Sequence, residues 1–349
     1  MTRPGYDVIV VGVGGMGSAA AFHLAARGLR VLALERQALG HALGSSHGLT
    51  RIIRLAYFEH PSYVPLLHRA FALWRELERG LDEPLLHVTG SLDVGRVGSD
   101  VFDGSLRSCR EHGLAHETLD AKALRTRFPG WQPTPDMMAV YQPDGGFLTP
   151  ERCIATHVAR AAALGATIRE RESVLEWKAG GGMVTVRTDR AIYDAGQLVL
   201  AAGPWMGQLT PDLRARLVPE RQVVGWFDIA EPSHFTPHAF PVFVLDADEG
   251  RYYGFPEYGV RGSRSADIIT GTRSLTRTQS IGCVTPPTKR RCARPSRATS
   301  PLPMARCAHR VRASSPTRRT STSSSTVRRA RPRYCSCRPV PVTGSSSPA

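Results

Sequence analysis

The chain has 349 residues, 42% of them hydrophobic, and 45 Lys and Arg against 30 Asp and Glu give a formal net charge of +15. A chain of this length buries a sizeable core and divides into two domains, and its apolar stretches are broken too often by Gly and charge to span a membrane. The basic excess resembles a nucleic-acid signal, but residues 261–349 hold 19 Lys and Arg and one acid, Asp267, a balance of +18 that leaves residues 1–260 at −3 and gives them no reason to bind nucleic acid.

The opening MTRPGYDV lacks a signal-peptide pattern. Seven Cys without a secretory signal point to a reducing, cytoplasmic compartment, and with no CxxC pair or spaced His/Cys set no metal is expected. Tyr6–Val11 (YDVIVV) is a β-branched run entering Gly12-Val13-Gly14-Gly15-Met16-Gly17. An alanine-rich helical stretch, SAAAFHLAARG, follows, and RVLALE then ends at Glu35. Strand, GxGxxG, helix, strand and acid in this order predict a dinucleotide site. Gly12 permits the tight turn, Gly14 lets the backbone approach a pyrophosphate, and Gly17 lets the helix pack on the strand. The phosphates then face unpaired N–H groups at the helix N-terminus. Glu35 accepts from ribose hydroxyls, with Arg36 beside it.

Next comes Gly44-Ser45-Ser46-His47-Gly48-Leu49-Thr50-Arg51-Ile52-Ile53-Arg54-Leu55-Ala56-Tyr57. Two arginines three apart on an otherwise apolar segment need anions or a negative ring edge. A flavin pyrimidine with a substrate carboxylate answers that need, and so does a structural salt bridge.

Residues 62–79 have helical periodicity, with Val64, Leu67, Phe71 and Trp74 near one face. LLHVTGSLDVG reads as strand and turn, 104–113 and 121–127 as helices, 136–148 as a strand with the turn Pro143-Asp144-Gly145-Gly146, and Thr149–Gly165 as a helix with Pro150 in its first turn. ATIRERESVLEW, MVTVRTD and AIYDAGQLVLAAG read as successive strands, the last rejoining the first sheet beneath the nucleotide; 217–229, 240–245 and 251–255 read as strands of a second sheet. The fold class is α/β: a Rossmann-like, doubly wound sheet with a second α+β substrate domain on a mainly antiparallel sheet, the C-terminal part incomplete. The expected domains are discontinuous, 1–82 with 149–216 for the cofactor and 83–148 with 217–260 for the substrate.

Residues 5–260 resemble the monomeric sarcosine oxidase and N-methyltryptophan oxidase family of FAD-dependent amine oxidases. The matching text is YDVIVVGVGGMGSAAAFHLAARG, HALGSSHGLTRIIRLAYFEHPSYVPL, DGGFLTPERCI, LVLAAGPW, RQVVGWF and YYGFPEYG. The GS-x-HG-x-TR-x-IR segment is far more specific than the glycine fingerprint. The resemblance implies that Gly12, Gly14, Met16, Gly17 and Glu35, with Arg36, hold the ADP half of FAD. It implies that Ser45, Thr50, Val174, Gly203 and Trp205 line the rest. His47 and Arg51 would lie against the flavin ring, the arginine's charge favouring reduced, anionic flavin. Arg54 would pair with the substrate carboxylate, and Tyr253 would lie near the substrate. Where the family usually has a first of two histidines, this chain has Ser46. The implied reaction is oxidation of a secondary (N-methyl) amino acid such as sarcosine or N-methyltryptophan, with O2 giving H2O2 and the imine hydrolysing to formaldehyde, in a monomer with covalent FAD. Another FAD-dependent oxidase of the D-amino-acid or glycine oxidase type, and a non-catalytic remnant, are the alternatives; fold alone separates none of them.

Beyond Val260 acids nearly vanish, and Arg, Ser, Thr, Pro and Cys dominate. With codons regrouped one base earlier, residues 261–270 can be read as PGFKIGRHHH and 314–326 as LFTNTPDEHFIID, strings that resemble the family's C-terminal segments in the right order. A one-base frameshift near Val260 explains this better than a basic disordered tail or a nucleic-acid-binding arm. The family's flavin-linking cysteine then falls at Ala313, its oxygen-activating lysine at Arg264, a second carboxylate-binding lysine at Ser346 and an active-site histidine at Ile268; none carries over. The tail's cysteines (Cys283, Cys292, Cys307, Cys335, Cys337) carry no disulfide or zinc argument.

Overall fold

The computed structural model describes residues 5–219, 224–227, 229–248, 250–259 and 263–268. The first sheet starts from β1 (Tyr6–Val11), α1 (Gly15–Ala25) and β2 (Val31–Glu35). A short β3 (Arg51–Ile53), then α2 (Val64–Leu77), β4 (Leu86–Val88), β5 (Ser91–Arg96), α3 (Asp100–His112), β6 (Glu117–Asp120), α4 (Ala121–Arg127), β7 (Met137–Gln142) and β8 (Gly146–Leu148) follow. The chain returns through α5 (Pro150–Ala163) to β9 (Thr167–Glu170), β10 (Val174–Gly180), β11 (Met183–Thr188) and β12 (Ile192–Leu200). It then enters β13 (Val224–Phe227), β14 (Val242–Ala247), β15 (Gly250–Phe255) and β16 (Ser263–Ile268).

The six-stranded sheet has the order β10-β11-β12-β1-β2-β9. β12, β1, β2 and β9 are parallel, and β10 and β11 close one edge as antiparallel strands. β1 is buried on both faces, which is why its run is continuously apolar. Val8 and Val10 pack with Ala21 and Ala25 of α1 and Ala161 of α5, whereas Ile9 and Val11 pack with Val184, Val186 and Ala195. β12 therefore does return beside β1, as the apolar LVLAAG run predicts.

The seven-stranded sheet has the order β13-β16-β15-β14-β5-β7-β6 and is antiparallel except where β14 runs parallel to β5. Its core joins Leu92, Val94, Trp131, Phe235, Phe240, Phe243 and Leu245, with the Trp131 and Phe243 rings edge to face at 5.0 Å. β3, β8 and β4 form a small third sheet. In α2, Val64 is buried, Leu67 and Phe71 pack on a neighbouring cluster, and Trp74 packs on another, so the periodicity reads correctly.

Two expectations change. Among the described residues of the 217–229 stretch, Val224–Phe227 alone is a strand; a 3-10 turn at Pro211–Leu213 precedes it. The tail expected from 261 onward holds a further strand: Ser263–Ile268 forms β16, inserted between β13 and β15. Strand pairing is made by backbone groups and tolerates a polar SRSADI sequence that burial of a whole domain would not. Arg264 and Ile268 thus lie on a strand, while Ala313, Ser346 and the five tail cysteines lie outside the described residues.

Candidate cofactor and substrate site

A cavity of about 680 Å³ opens over the C-terminal ends of β1, β2 and β12, where ligands bind on open α/β sheets. Gly12 has φ +91°, and a Cβ there would stand 2.5 Å from the Ala201 carbonyl oxygen; a Cβ on Gly17 would stand 1.8 Å from the Gly12 oxygen. The two glycines therefore lock strand, turn and helix together, and the N-terminus of α1 faces the cavity. Gly14 has only the Ser46 hydroxyl within contact range of a built Cβ, at 3.5 Å. That hydroxyl accepts from the Gly15 N–H at 3.0 Å.

Glu35 is buried at the end of β2 and already holds the loops around it. Its Oε2 accepts from Val13 N–H at 2.9 Å and its Oε1 from Gln37 N–H at 3.0 Å, with His41 Nε2 at 3.4 Å from Oε1. Because His41 Nδ1 accepts from Leu43 N–H, the ring proton must sit on Nε2, facing Glu35. Arg36 lies over the Trp205 ring at 5.4 Å and reaches Gln208 Oε1 at 3.5 Å.

The 45–50 turn is held from two sides. Glu151, in the first turn of α5, accepts from Gly48 N–H at 2.7 Å and Leu49 N–H at 3.3 Å, and lies 3.1 Å from His47 Nδ1. Arg51 donates through Nη2 to the carbonyls of Ser45 at 3.0 Å and His47 at 3.3 Å. Thr50 is buried beneath the turn, its N–H on the Gly48 carbonyl.

Gly12, Gly14, Met16, Glu35, Arg36, Ser45, His47, Val174, Gly203 and Trp205 line the cavity, and Gly17 packs below it. Thr50, Arg51, Arg54 and Tyr253 are not in its wall. Arg54 is buried and reaches Glu59 Oε2 at 3.2 Å through Nη2 and Asp93 Oδ1 at 3.5 Å through Nε, its guanidinium over the rings of Tyr57 and Phe58. Its charge is thus met by internal carboxylates, the salt-bridge alternative of the sequence, and not held open for a ligand. Burial pushes the Asp93 carboxyl up to about 6, against the opposing pull of Arg54 and the Ser105 hydroxyl. Tyr253 packs with Phe147, Val242, Phe255 and Tyr258.

The sequence profile of the FAD dependent oxidoreductase family matches residues 7–325. The chain belongs to this FAD-dependent family. It is 45% identical over 258 residues to monomeric sarcosine oxidase of Streptomyces avermitilis, an alignment covering 72% of this chain and 66% of the relative. It is 35% identical over 252 residues to N-methyl-L-tryptophan oxidase of Salmonella newport, covering 72% and 67%. The chain therefore spans about 66% of the first of these relatives. Among solved structures it is similar to NikD, an unusual amino acid oxidase essential for nikkomycin biosynthesis, at a TM-score of 0.71 and 27% identity over 87% of this chain and 79% of that one.

The residues present fit the nucleotide end of FAD. At Gly14 and Gly15 only the Ser46 side chain stands beside the turn over α1, its hydroxyl on the Gly15 N–H, Glu35 Oε2 accepts one N–H, from Val13, and the buried Nε of Arg36 has no hydrogen-bond acceptor among the described residues, an orphan that a bound polar group answers. Glu151 and His41 were not singled out in the sequence. Each acts through a partner distant in the chain or hidden in a loop, so only register and packing reveal them. Among the described residues no group of three or more His, Cys, Asp or Glu side chains can hold a metal ion, and no helix is long and apolar enough to cross a membrane.

Proposed function

We propose that this chain derives from an FAD-dependent oxidase of secondary, N-methyl amino acids such as sarcosine or N-methyltryptophan. The observation that carries the reading is the GS-x-HG-x-TR-x-IR segment, whose Ser45 and His47 line a cavity built by the GxGxxG turn in a chain 45% identical to a sarcosine oxidase. When bound, FAD would supply the redox chemistry: the amine loses two electrons and two protons to become an imine that water hydrolyses, and O2 takes up the two electrons and two protons to become H2O2. Gly12, Gly14, Met16 and the α1 N-terminus hold the pyrophosphate, with Gly17 packing beneath them; Glu35 and Arg36 hold the ribose and adenine side. Ser45, Thr50, Val174, Gly203 and Trp205 flank the remainder. Arg51 braces the turn and adds positive charge beside the ring, and Arg54, with Tyr253 as its proposed neighbour at the substrate, receives the substrate carboxylate once the exposed Glu59 gives way. Residues 1–82 with 149–216 form the cofactor domain and 83–148 with 217–260 the substrate domain.

The same reading makes the chain an impaired copy. A frameshift near Val260 puts Ala313, Arg264, Ser346 and Ile268 where the family needs the linking cysteine, two lysines and a histidine, so FAD is held without a covalent bond and turnover is low. The protein acts as a monomer in a reducing, cytoplasmic compartment, in keeping with Cys109 and Cys153, both free and buried with thiols pushed up to about 12, chiefly by burial. The test compares amine-dependent H2O2 production by this chain and by a version with the frame restored after codon 260, over a panel of N-methyl amino acids. The reading predicts robust turnover only with the restored frame; equal rates contradict the impairment, and no turnover by the restored protein on any of them contradicts the substrate class.

A further inference from the structure

β3 and β8 are antiparallel with Arg51 opposite Leu148. Chain leading into Arg51 therefore runs beside chain leaving Leu148, and three residues on, at the start of α5, stands Glu151. Pro150 fixes the first turn of this helix, and the helix packs through Ala161 against the α1 side of the first sheet, so Glu151 is carried on a rigid element. An acid here also sits favourably at a helix N-terminus. What it holds is a strained turn: Gly48 has φ +134° and Leu49, with a branched side chain, φ +57°. One carboxylate oxygen gathers the Gly48 and Leu49 N–H groups, while Arg51 gathers the Ser45 and His47 carbonyls from the other side. Donors and acceptors of the turn are thus matched by two side chains of opposite charge.

The same carboxylate decides what His47 presents. An ionised carboxylate only accepts, and with Glu151 Oε1 3.1 Å from Nδ1 a bare Nδ1 would set lone pair against lone pair, so the carboxylate favours the neutral ring's proton on Nδ1. His47 lines the cavity and its side chain is half exposed. We propose that Glu151 is a positioning residue of this site: it holds the 47–49 turn in its left-handed form and fixes His47 in the Nδ1–H tautomer, so that the ring turns an Nε2 lone pair, and not an N–H, toward the molecule in the cavity. The occupant consequently meets His47 through an N–H or O–H donor of its own. This rests on the reading of the cavity as a flavin site for the identity of the occupant, but not for the tautomer. His41, whose Nδ1 accepts a backbone N–H, is held in the opposite tautomer only a few residues away, so the local backbone does not impose one form on both rings.

The test uses the full chain labelled with 15N in its histidine rings, with the His47 signals assigned by their loss in His47→Gln. Ring nitrogen shifts are read above the histidine titration range, and FAD affinity is measured separately by quenching of flavin fluorescence. The wild type is expected to show a protonated Nδ1. Glu151→Gln, which keeps an acceptor oxygen, should keep the tautomer and bind FAD within about threefold of wild type; Glu151→Ala should release His47 to the Nε2–H form and weaken FAD by about tenfold, the range of one lost charged hydrogen bond. A protonated Nε2 in the wild type, or in Glu151→Gln, overturns the assignment without recourse to the alanine variant, as does an unchanged His47 spectrum and FAD affinity in Glu151→Ala. A wild type that shows the Nδ1–H form but takes up no FAD supports the role of Glu151 and contradicts the flavin reading instead.

Discussion

The two ends of the site are built in opposite ways. At the nucleotide end the protein leaves an opening: Gly12, Gly14 and Gly17 remove side chains, and the buried Arg36 Nε is left without an acceptor. At the Arg54 end it leaves none: Asp93 lies beneath the guanidinium, Glu59 beside it, Tyr57 and Phe58 across its faces, and Gln142 and Ser108 pin the backbone of the same segment through Leu55, Ala56 and Tyr57. An opening defined by backbone geometry survives changes elsewhere in the chain. An arginine neutralised by its own protein's carboxylates is ready for a ligand only when one of them gives way, and the exposed Glu59 is the one able to move.

The contrast predicts where damage is greatest. Arg54→Ala strands the buried Asp93 charge and should cost about 3–5 kcal/mol of stability at pH 7 in urea melts, the range for breaking a buried ion pair. An effect below about 1 kcal/mol would show the pair to be dispensable. Gly17→Val should cost about 1–3 kcal/mol through overpacking against the Gly12 carbonyl and should abolish FAD binding while leaving the Arg54 end intact.

Two buried groups, Asp93 at the Arg54 end and His157 on α5, respond oppositely to acid. Asp93 titrates at about 6 when folded against 3.8 as its ordinary value, so the folded state holds the extra proton and stability falls as pH rises from about 4 to 6, by about 3 kcal/mol for a fully buried group. His157, on α5 against Phe22 and Trp74, is lowered to about 4, by burial first and then by His23 and Arg160. There the unfolded state takes the proton first, so stability falls as pH drops from 6.5 to about 4. The two slopes oppose each other in the same window. Asp93→Asn should therefore unmask a steeper acid loss between pH 6 and 4, read from thermal melts; an unchanged profile would remove Asp93 from the account. The smallest effect expected is that of Ser46→Ala, which deletes one exposed contact to the Gly15 N–H and should change stability by about 1 kcal/mol or less.

What the sequence discloses follows the same division. Gly12, Gly17 and Glu35 are legible because strand, turn, helix and strand are contiguous, and the glycine spacing has one steric meaning. His47, which lines the cavity, is singled out by its motif, but its partner Glu151 is not, since 103 intervening positions are closed only by the pairing of β3 with β8. Arg54 is legible as a buried cation in need of an anion. Which anion it meets depends on β5 placing Asp93 beneath it, and periodicity along β5 shows only that alternate residues face the same way. The strand at Ser263–Ile268 is illegible for the opposite reason, its polar composition hiding an inner strand held by backbone pairing with β13 and β15.

On the proposed function, this chain would keep an FAD cavity and lack the cysteine that tethers the flavin. Titrating the purified chain with FAD and then precipitating it with acid tests both halves at once. One equivalent of FAD is expected to bind, and all of it to be released to the supernatant. No saturable binding, or flavin retained in the acid pellet, would contradict it.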